Sequence, residues 1–468
     1  MTAASSGWRD DARAEDAWVG VHVCVAGVGL SGAAVQRVLE ERGAHVTTVD
    51  AKLGNDEVLP PDAELVVTSP GWRPTHPLFG QAAARGVPVW GEVELAWRLR
   101  DPEVPWLGVT GTNGKTTTVQ MLASILRAAG HRAVACGNVG LPVLDAVLAD
   151  PPYDVLAVEM SSFQLHWAST VEFQAAAVLN IAPDHLDWHG SFEAYAEAKA
   201  SIWRGDWYCI YNADDPVVSR LVAGRMDRQD FTLGPLEGHC FGVQDGVLVD
   251  RCFGASDLGE MREDLRGVEL ARLGDIRPPA PHNVANALAA AALARALESG
   301  TGGRLAVPLR AVRDGLRAFR PDPHRIAHVA SIAGVDYIDD SKATNAHAAA
   351  ASLAAFDPVV WIAGGLAKGA EFDEVVAGAA GRLRGVVLLG RDRAVIADAL
   401  ARHAPQVPVV DVPATDTGAM DDVVRAARGL ARPGDTVLLA PACASMDMFT
   451  NYGERGDAFA QAVRRMTR

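Results

Sequence analysis

Near residue 105 a short apolar stretch (Trp106, Leu107) runs into Gly108-Val-Thr-Gly-Thr-Asn-Gly-Lys-Thr-Thr-Thr118, and a helical pattern follows at once. Strand, glycine turn and helix in immediate succession constrain this part of the chain to an α/β framework. Glycines strip side chains from the turn, so successive backbone N–H groups can face phosphate oxygens. Gly111, Thr112, Asn113 and Gly114 form that turn. Lys115 can bring an ammonium to terminal phosphates, Thr116 can offer its hydroxyl to Mg²⁺, and Thr117 continues the first helical turn. Val109 stands where the usual spacing has its first glycine. A surface turn carrying Gly-Lys-Thr by chance is the alternative.

Apolar runs repeat on both sides of this loop. Residues 21–26 read as a buried strand, followed by Gly27-Val-Gly29-Leu-Ser-Gly32, a helix to about Glu41, and a strand over 46–49 ending at Asp50. That is the fingerprint of a dinucleotide fold, though such loops bind many nucleotides. Further strands are expected at 65–68, before the turn Ser69-Pro-Gly71, and at 87–90, with an exit linker at 101–105. The middle segment shows strands at 132–136, 155–158, 176–181 and 207–211, and a hairpin over 240–249 turning at Gln244-Asp-Gly246. The Ala-rich helix at 282–297 reads as buried. After Arg320-Pro-Asp-Pro323 come strands at 335–338, 359–363, 386–389, 409–412 and 436–440. Such alternation predicts parallel sheets covered by helices. The expected fold class is α/β with three domains: a Rossmann-like one at 21–104, a central P-loop-type mononucleotide-binding parallel sheet at 105–320, and a C-terminal Rossmann-like one at 321–468.

Charge and cysteine usage narrow the function. With 43 Lys and Arg against 58 Asp and Glu, the net charge of −15 argues against nucleic-acid or acidic-membrane partners. Anions must then be met by local positive groups and helix N-termini. No stretch of apolar residues is long enough for a membrane span. Cysteines stand at 24, 136, 209, 240, 252 and 443 without Cys-x-x-Cys spacing. Cys24, Cys136 and Cys209 fall in strand-like runs, which predicts reduced core thiols, no zinc site and a cytoplasmic location. The polar first twenty residues resemble no targeting signal and are expected to form a disordered tail.

Several polar residues follow strands, where α/β sheets collect ligands. Glu159, in Val158-Glu-Met-Ser-Ser-Phe-Gln164, could complete a Mg²⁺ shell or cap the next helix. His185, in Asn180-Ile-Ala-Pro-Asp-His185, could touch metal or substrate or be structural. Over 191–203, Phe192, Tyr195, Ala196, Lys199 and Trp203 share one stripe, so Lys199 is an amine on an apolar face. It could snorkel to water. Alternatively, desolvation makes it neutral and reactive, and carbon dioxide would convert it to a carbamate that ligates metal. Tyr337-Ile-Asp-Asp340-Ser-Lys342-Ala-Thr344 suits hydroxyl and phosphate recognition, or supplies an N-cap through Asp340 or Ser341. Gly364-Gly-Leu-Ala-Lys368-Gly369 suits a small anion. Ser445, lacking a Gly-x-Ser-x-Gly elbow, reads as a binding hydroxyl in the loop that ends at Tyr452.

Taken together, Gly-Thr-Asn-Gly-Lys-Thr at 111–116, Ser-Ser-Phe-Gln-Leu at 161–165, His-Asn-Val-Ala-Asn at 282–286, Asp-Ser-Lys-Ala-Thr-Asn at 340–345 and Ala-Cys-Ala-Ser at 442–445 resemble the Mur ligases. The resemblance covers nearly the whole chain from about residue 20, and three of the motifs point to the D-glutamate-adding branch. It implies ATP-dependent joining of D-glutamate to UDP-N-acetylmuramoyl-L-alanine through an acyl phosphate, a cytoplasmic step of peptidoglycan precursor synthesis. It implies that Leu30, Ser31, Asp50 and Gly71 hold the uridine nucleotide, and that Asn138, Ser161 and Gln164 face the muramoyl-alanine end. Residues 111–117 with Asn283, Arg325 and Asp340 would hold ATP. Thr116 and Glu159 would hold one Mg²⁺, His185 and carbamylated Lys199 a second. Lys115, His185 and Lys199 would be the catalytic group, and Lys342, Thr344, Lys368, Ser445 and Tyr452 the D-glutamate pocket. Ala51, Leu366-Ala367 and Tyr452 depart from the residues familiar in the family. A monomer is expected, with the last domain closing to exclude water.

Three alternatives stand beside this one. A nicotinamide-dependent oxidoreductase built on residues 27–50 would leave the 108–118 loop unexplained. A non-catalytic nucleotide-responsive protein would tolerate Lys115→Ala. Another Mur-type or folylpolyglutamate-type ligase would add a different amino acid.

Overall fold

The computed structural model describes residues 7–14, 16–205, 208–253, 267–414 and 416–466. The chain forms two compact units, one of residues 1–276 and 283–319, the other of residues 277–282 and 320–468.

The first unit contains two sheets. Strands β1 (His22–Ala26), β2 (His45–Val49), β3 (Leu65–Thr68) and β4 (Val89–Gly91) lie in the order β2-β1-β3-β4, all parallel. A nine-stranded sheet follows, built from β5 (Trp106–Thr110), β6 (Ala133–Gly137), β7 (Val155–Glu159), β8 (Ala175–Val178), β9 (Tyr208–Asn212), β10 (Arg228–Phe231), β11 (Phe241–Gln244), β12 (Val247–Asp250) and β13 (Val268–Arg272). Its order is β13-β12-β11-β10-β9-β8-β5-β7-β6, with only β12 pairing its neighbours antiparallel. β5, β7 and β8 are buried at every position, as strands covered on both faces must be. The expected strand at 207–211 appears from Tyr208; Trp207 lies outside the described residues. Asp245 and Gly246, with φ of 51° and 75°, make the tight turn of the expected hairpin.

Two helices on this sheet approach closely. Gly315 in Leu309–Ala318 meets the backbone of Ile125 in Lys115–Ala128, where any Cβ would collide, and Ser124 donates to the Gly315 carbonyl at 2.7 Å. The Ala-rich helix runs Pro281–Gly300, and all its alanines but the half-buried Ala285 lie in the core it shares with β5, β7 and β8.

The second unit carries β14 (Ala327–Ile332), β15 (Val335–Asp339), β16 (Val359–Gly364), β17 (Leu383–Leu389), β18 (Val409–Asp411) and β19 (Thr436–Leu439) in the order β14-β15-β19-β16-β17-β18. All pairs are parallel except β14 with β15.

One expectation needs correction, and one feature was not foreseen. The first twenty residues are not a loose tail over their described part: residues 7–10 are helical, and Trp8 and Trp18 are buried, stacked at 5.7 Å and set against Trp90. Burying two indoles outweighs the polar composition around them. Cys24, Cys136 and Cys209 are buried free thiols as expected, and so is Cys443, but Cys240 and Cys252 form a disulfide across the open end of the β11–β12 hairpin. Among the described residues no helix is long and apolar enough to cross a membrane.

Candidate functional site: a phosphate loop with two convergent lysines

β5 sits between β7 and β8, so its C-terminal end opens among three loops. The turn at 111–114 is clamped from the segment after β8. Thr112 N donates to the Asn180 carbonyl at 2.9 Å, Asn113 N donates to Asn180 Oδ1 at 2.8 Å, and Asn180 Nδ2 returns a bond to the Asn113 carbonyl at 3.1 Å. Gly114 has φ of +85°, and Asn286 Oδ1 occupies the space a Cβ would need. The helix then starts at Lys115 with no side-chain cap, which points its dipole at whatever the loop holds.

Two amines converge on one oxygen. Lys115 Nζ donates to the carbonyls of Gly111 and Thr112, each at 2.9 Å, and Lys199 Nζ donates to the Gly111 carbonyl at 2.8 Å. Lys199 is 2% exposed and does not snorkel. Tyr195, one turn earlier, places its ring 4.7 Å from the Lys199 amine and its hydroxyl 3.0 Å from Thr112 Oγ1. Burial, and secondarily the Lys115 ammonium, hold the Lys199 amine well below the usual lysine range.

Glu159, at the end of β7, is 1% exposed. Its Oε1 accepts from Asn138 Nδ2 at 2.8 Å, and its Oε2 is buried without a protein partner. A buried carboxylate oxygen left open is costly unless a cation meets it; Thr116, in the first turn of the helix that follows the phosphate loop, is buried as well. Among the described residues no cluster of three or more His, Cys, Asp and Glu could hold a metal. One carboxylate, one hydroxyl and ligand phosphates are nevertheless a donor set that suits Mg²⁺. His185 adopts the left-handed conformation (φ 53°) ahead of the short helix Leu186–His189, half exposed, with its ring 4.8 Å from Phe163 and Nε2 3.6 Å from Asp184. Burial lowers its pKa.

Ser161 and Gln164 bond to each other. Ser161 Oγ accepts from Gln164 N at 3.1 Å and Ser161 N donates to Gln164 Oε1 at 2.9 Å, a capping box that starts the helix Ser162–His166. On the first sheet, Asp50 accepts from Val28 N at 3.1 Å and from Lys52 N at 2.8 Å, and so holds the glycine loop. Leu30 projects 85% exposed from that loop, Ser31 Oγ donates to Glu92 at 3.2 Å, and Gly71 faces open space. Asn283 is buried near the start of the Ala-rich helix.

The second unit gathers its own set. Asp340 is buried and accepts from Ile326 N at 3.2 Å and from the Ser352 hydroxyl, while burial pushes its carboxyl up to about 6. Arg325 lies 4.0 Å from Asp322. Lys342 places its amine 4.0 Å from the Tyr452 ring centre, and Thr344 N donates to the Lys342 carbonyl at 2.8 Å. Lys368, exposed with φ of 52°, follows Leu366, which exchanges backbone bonds of 2.8 and 3.1 Å with Ala444 beside the buried Ser445.

Sequence reasoning missed Arg455. It is 1% exposed and bridges two of these loops, with Nε on Ser341 Oγ at 3.0 Å, Nη2 on the Ser341 carbonyl at 2.9 Å and Nη1 on the Cys443 carbonyl at 3.1 Å. It also missed His189, whose Nε2 lies 2.9 Å from Ser162 Oγ and whose pKa burial lowers to about 4. Asn180 and Asn286 lay inside quoted motifs, but nothing local announced that they clamp the loop.

A phosphate loop, a buried amine and an open carboxylate at the strand ends of a parallel sheet define a nucleotide-dependent enzyme. Residues 109–294 match the Mur ligase middle domain and residues 324–443 the Mur ligase glutamate ligase domain. The chain belongs to the Mur ligase family, whose members are ATP-dependent ligases. It is 58% identical to the UDP-N-acetylmuramoylalanine–D-glutamate ligase of Streptomyces coelicolor over 96% of this chain and 98% of that one. The ligase of the same name from Thermobifida fusca is 56% identical over 95% and 98%. In fold it is similar to the UDP-N-acetylmuramate–alanine ligase of Thermotoga maritima, with a TM-score of 0.56 at 19% identity, covering 96% of this chain and 99% of that one.

Proposed function

We propose that the protein joins D-glutamate to UDP-N-acetylmuramoyl-L-alanine, with ATP cleaved to ADP and phosphate, in the cytoplasm and as a monomer. The observation that carries this reading is the convergence of Lys115 and Lys199 on the Gly111 carbonyl, beside the open oxygen of Glu159. The relatives that bear the D-glutamate ligase name support the choice of substrates.

The alanine carboxylate attacks the γ-phosphate in line, its oxygen forming the new P–O bond as the bond to ADP breaks. Lys115 leaves the loop carbonyls and meets the negative oxygens of the transferring group, while the turn's N–H groups fix the phosphates. The D-glutamate amine then attacks the acyl carbon of the resulting acyl phosphate, and phosphate leaves with the electron pair. Thr116 and Glu159 would hold one Mg²⁺, and His185 with Lys199 a second. These ions would supply charge neutralisation. Lys199 serves there as a carbamate: its neutral amine adds to carbon dioxide and releases a proton.

Asn283, Arg325 and Asp340 are assigned the rest of ATP. Leu30, Ser31, Asp50 and Gly71 take the uridine end, and Asn138, Ser161 and Gln164 the muramoyl-alanine end. Lys342, Thr344, Lys368, Ser445 and Tyr452 take D-glutamate, whose two carboxylates suit amines and hydroxyls. The functional domains are then 21–104, 105–320 and 321–468.

The test is an assay with the muramoyl-alanine nucleotide, ATP and magnesium, offered D-glutamate, L-glutamate, L-lysine or meso-diaminopimelate in turn. Amide and ADP are expected in equal amounts with D-glutamate alone. Turnover with another amino acid, or ADP release without amide, overturns the reading.

A further inference from the structure

The segment at the chain's beginning that composition marked as loose builds, with the end of the helix Glu92–Leu99, a cleft of about 270 Å³ lined by Arg9, Asp11, Arg13, Arg98 and Arg100. Four arginines and one aspartate line it, in a chain whose net charge is −15. Like charges gather in this way only when something else holds each of them. Here Asp11 holds Arg13 at 3.2 Å and tryptophans hold the other three. Arg9 lies over Trp8 at 4.9 Å, Arg98 over Trp90 at 4.3 Å and Arg100 over Trp97 at 3.1 Å from the ring centres. Trp8 and Trp90 are packed edge to face at 5.2 Å, and Trp97 is set against Trp106 at 5.1 Å.

A guanidinium stacked on an indole face is held in plane, with its N–H edge turned outward. Protein acceptors take few of those donors. Among the described residues Arg98 gives Nε to Glu94 at 2.9 Å, Arg100 gives Nη1 to the Trp97 carbonyl at 2.6 Å, and Arg13 gives Nε to Asp11 at 3.2 Å. Each guanidinium carries five donors, so most remain for a ligand. Burial, helped by the Arg13 charge and opposed by the Glu172 and Asp101 carboxylates, lowers the Arg100 guanidinium to about 10.

We propose that this cleft is a second anion site, distinct in its residues from the phosphate loop, and that it takes a small diphosphate. Planar forks in fixed positions match tetrahedral oxyanions bidentately. The cleft is at the small end of ligand pockets, which fits a diphosphate group better than a whole nucleotide sugar. Asp11 pairs with Arg13 and Glu94 with Arg98, and the unpaired donors of the four forks suit a ligand that carries more than one negative charge. The inference does not depend on the ligase reading.

The test titrates inorganic pyrophosphate into the full chain without magnesium, following tryptophan fluorescence and heat. The Lys115→Ala protein, whose phosphate loop is impaired, is expected to keep the fluorescence response. Arg13→Gln, a change at a half-exposed side chain, is expected to weaken pyrophosphate at least tenfold. Arg100→Lys, which keeps charge and loses the fork, is expected to weaken it as well. ADP binding Lys115→Ala as tightly as pyrophosphate would identify the ligand as the diphosphate of a larger molecule; pyrophosphate alone would identify the free ion. Loss of the response in Lys115→Ala, undiminished binding in Arg13→Gln and Arg100→Lys, or sulfate binding equal to pyrophosphate each overturns the proposal.

Discussion

Lys199 donates to the carbonyl of Gly111 at 2.8 Å from a position 2% exposed, so a buried amine and the first residue of the phosphate loop hold one another in place. Desolvation holds that amine well below the usual lysine range. Lys199→Met is expected to lower kcat by about 10²–10³, the size seen when one preorganised charge is lost. Intact-mass measurement in bicarbonate should show one carbon dioxide added to the native chain and none to the variant.

Glu159 is the second point of leverage, since its Oε2 is buried and open. Glu159→Gln keeps the shape and the contact with Asn138 but gives up the charge. The magnesium concentration for half-maximal activity should rise by about 10–100-fold, with the melting temperature unchanged or raised. A variant with native magnesium dependence would remove Glu159 from the metal site.

Gly114 combines φ of +85° with a neighbour, Asn286 Oδ1, that fills its Cβ position. Gly114→Ala is expected to cost about 1–3 kcal/mol of strain and to raise the KM for ATP more than that for the amino acid. Thermal melting and a two-substrate kinetic comparison read both effects.

Arg295, 1% exposed on the Ala-rich helix, pairs with the buried Asp250 at 3.2 Å and with Glu298. Arg295→Leu strands Asp250 without its countercharge and should destabilise the protein by about 3–5 kcal/mol. Arg295→Leu combined with Asp250→Leu should recover much of that loss in urea unfolding.

Desolvation lowers His282 from 6.5 to about 4, although part of the residue reaches the surface. The unfolded chain therefore binds this proton first as the pH falls. Stability from this group is present above 6.5 and is lost between 6.5 and 4, by up to about 3 kcal/mol. His282→Gln should flatten the pH dependence of the unfolding free energy in that window.

The strands that carry the phosphate loop, Glu159 and the second unit's loops were legible because Val, Ile, Leu and Ala runs buried on both faces leave an unbroken apolar signature. β10, β13 and β14 escaped notice: β10 is four residues with Arg228 and Asp230 among them, β13 alternates irregularly and β14 is half-exposed along its length, so none writes such a run. Lys199 was legible as an amine on a stripe, but its burial was not, since a stripe does not say whether its end reaches water.

Local order along the chain determined the glycine turns, the strands that feed them and the residue types standing at their ends, because backbone freedom and apolar periodicity act over a few neighbours. Only the tertiary structure decided that Asn180 and Asn286 clamp the loop, that Arg455 ties Ser341 to Cys443, and that Trp8 and Trp18 turn a polar beginning into packed structure. Polar partners 67 or 114 residues apart obey no period. A hydrogen bond is specific only in three dimensions, so its partner is known once the sheets have brought the two segments together.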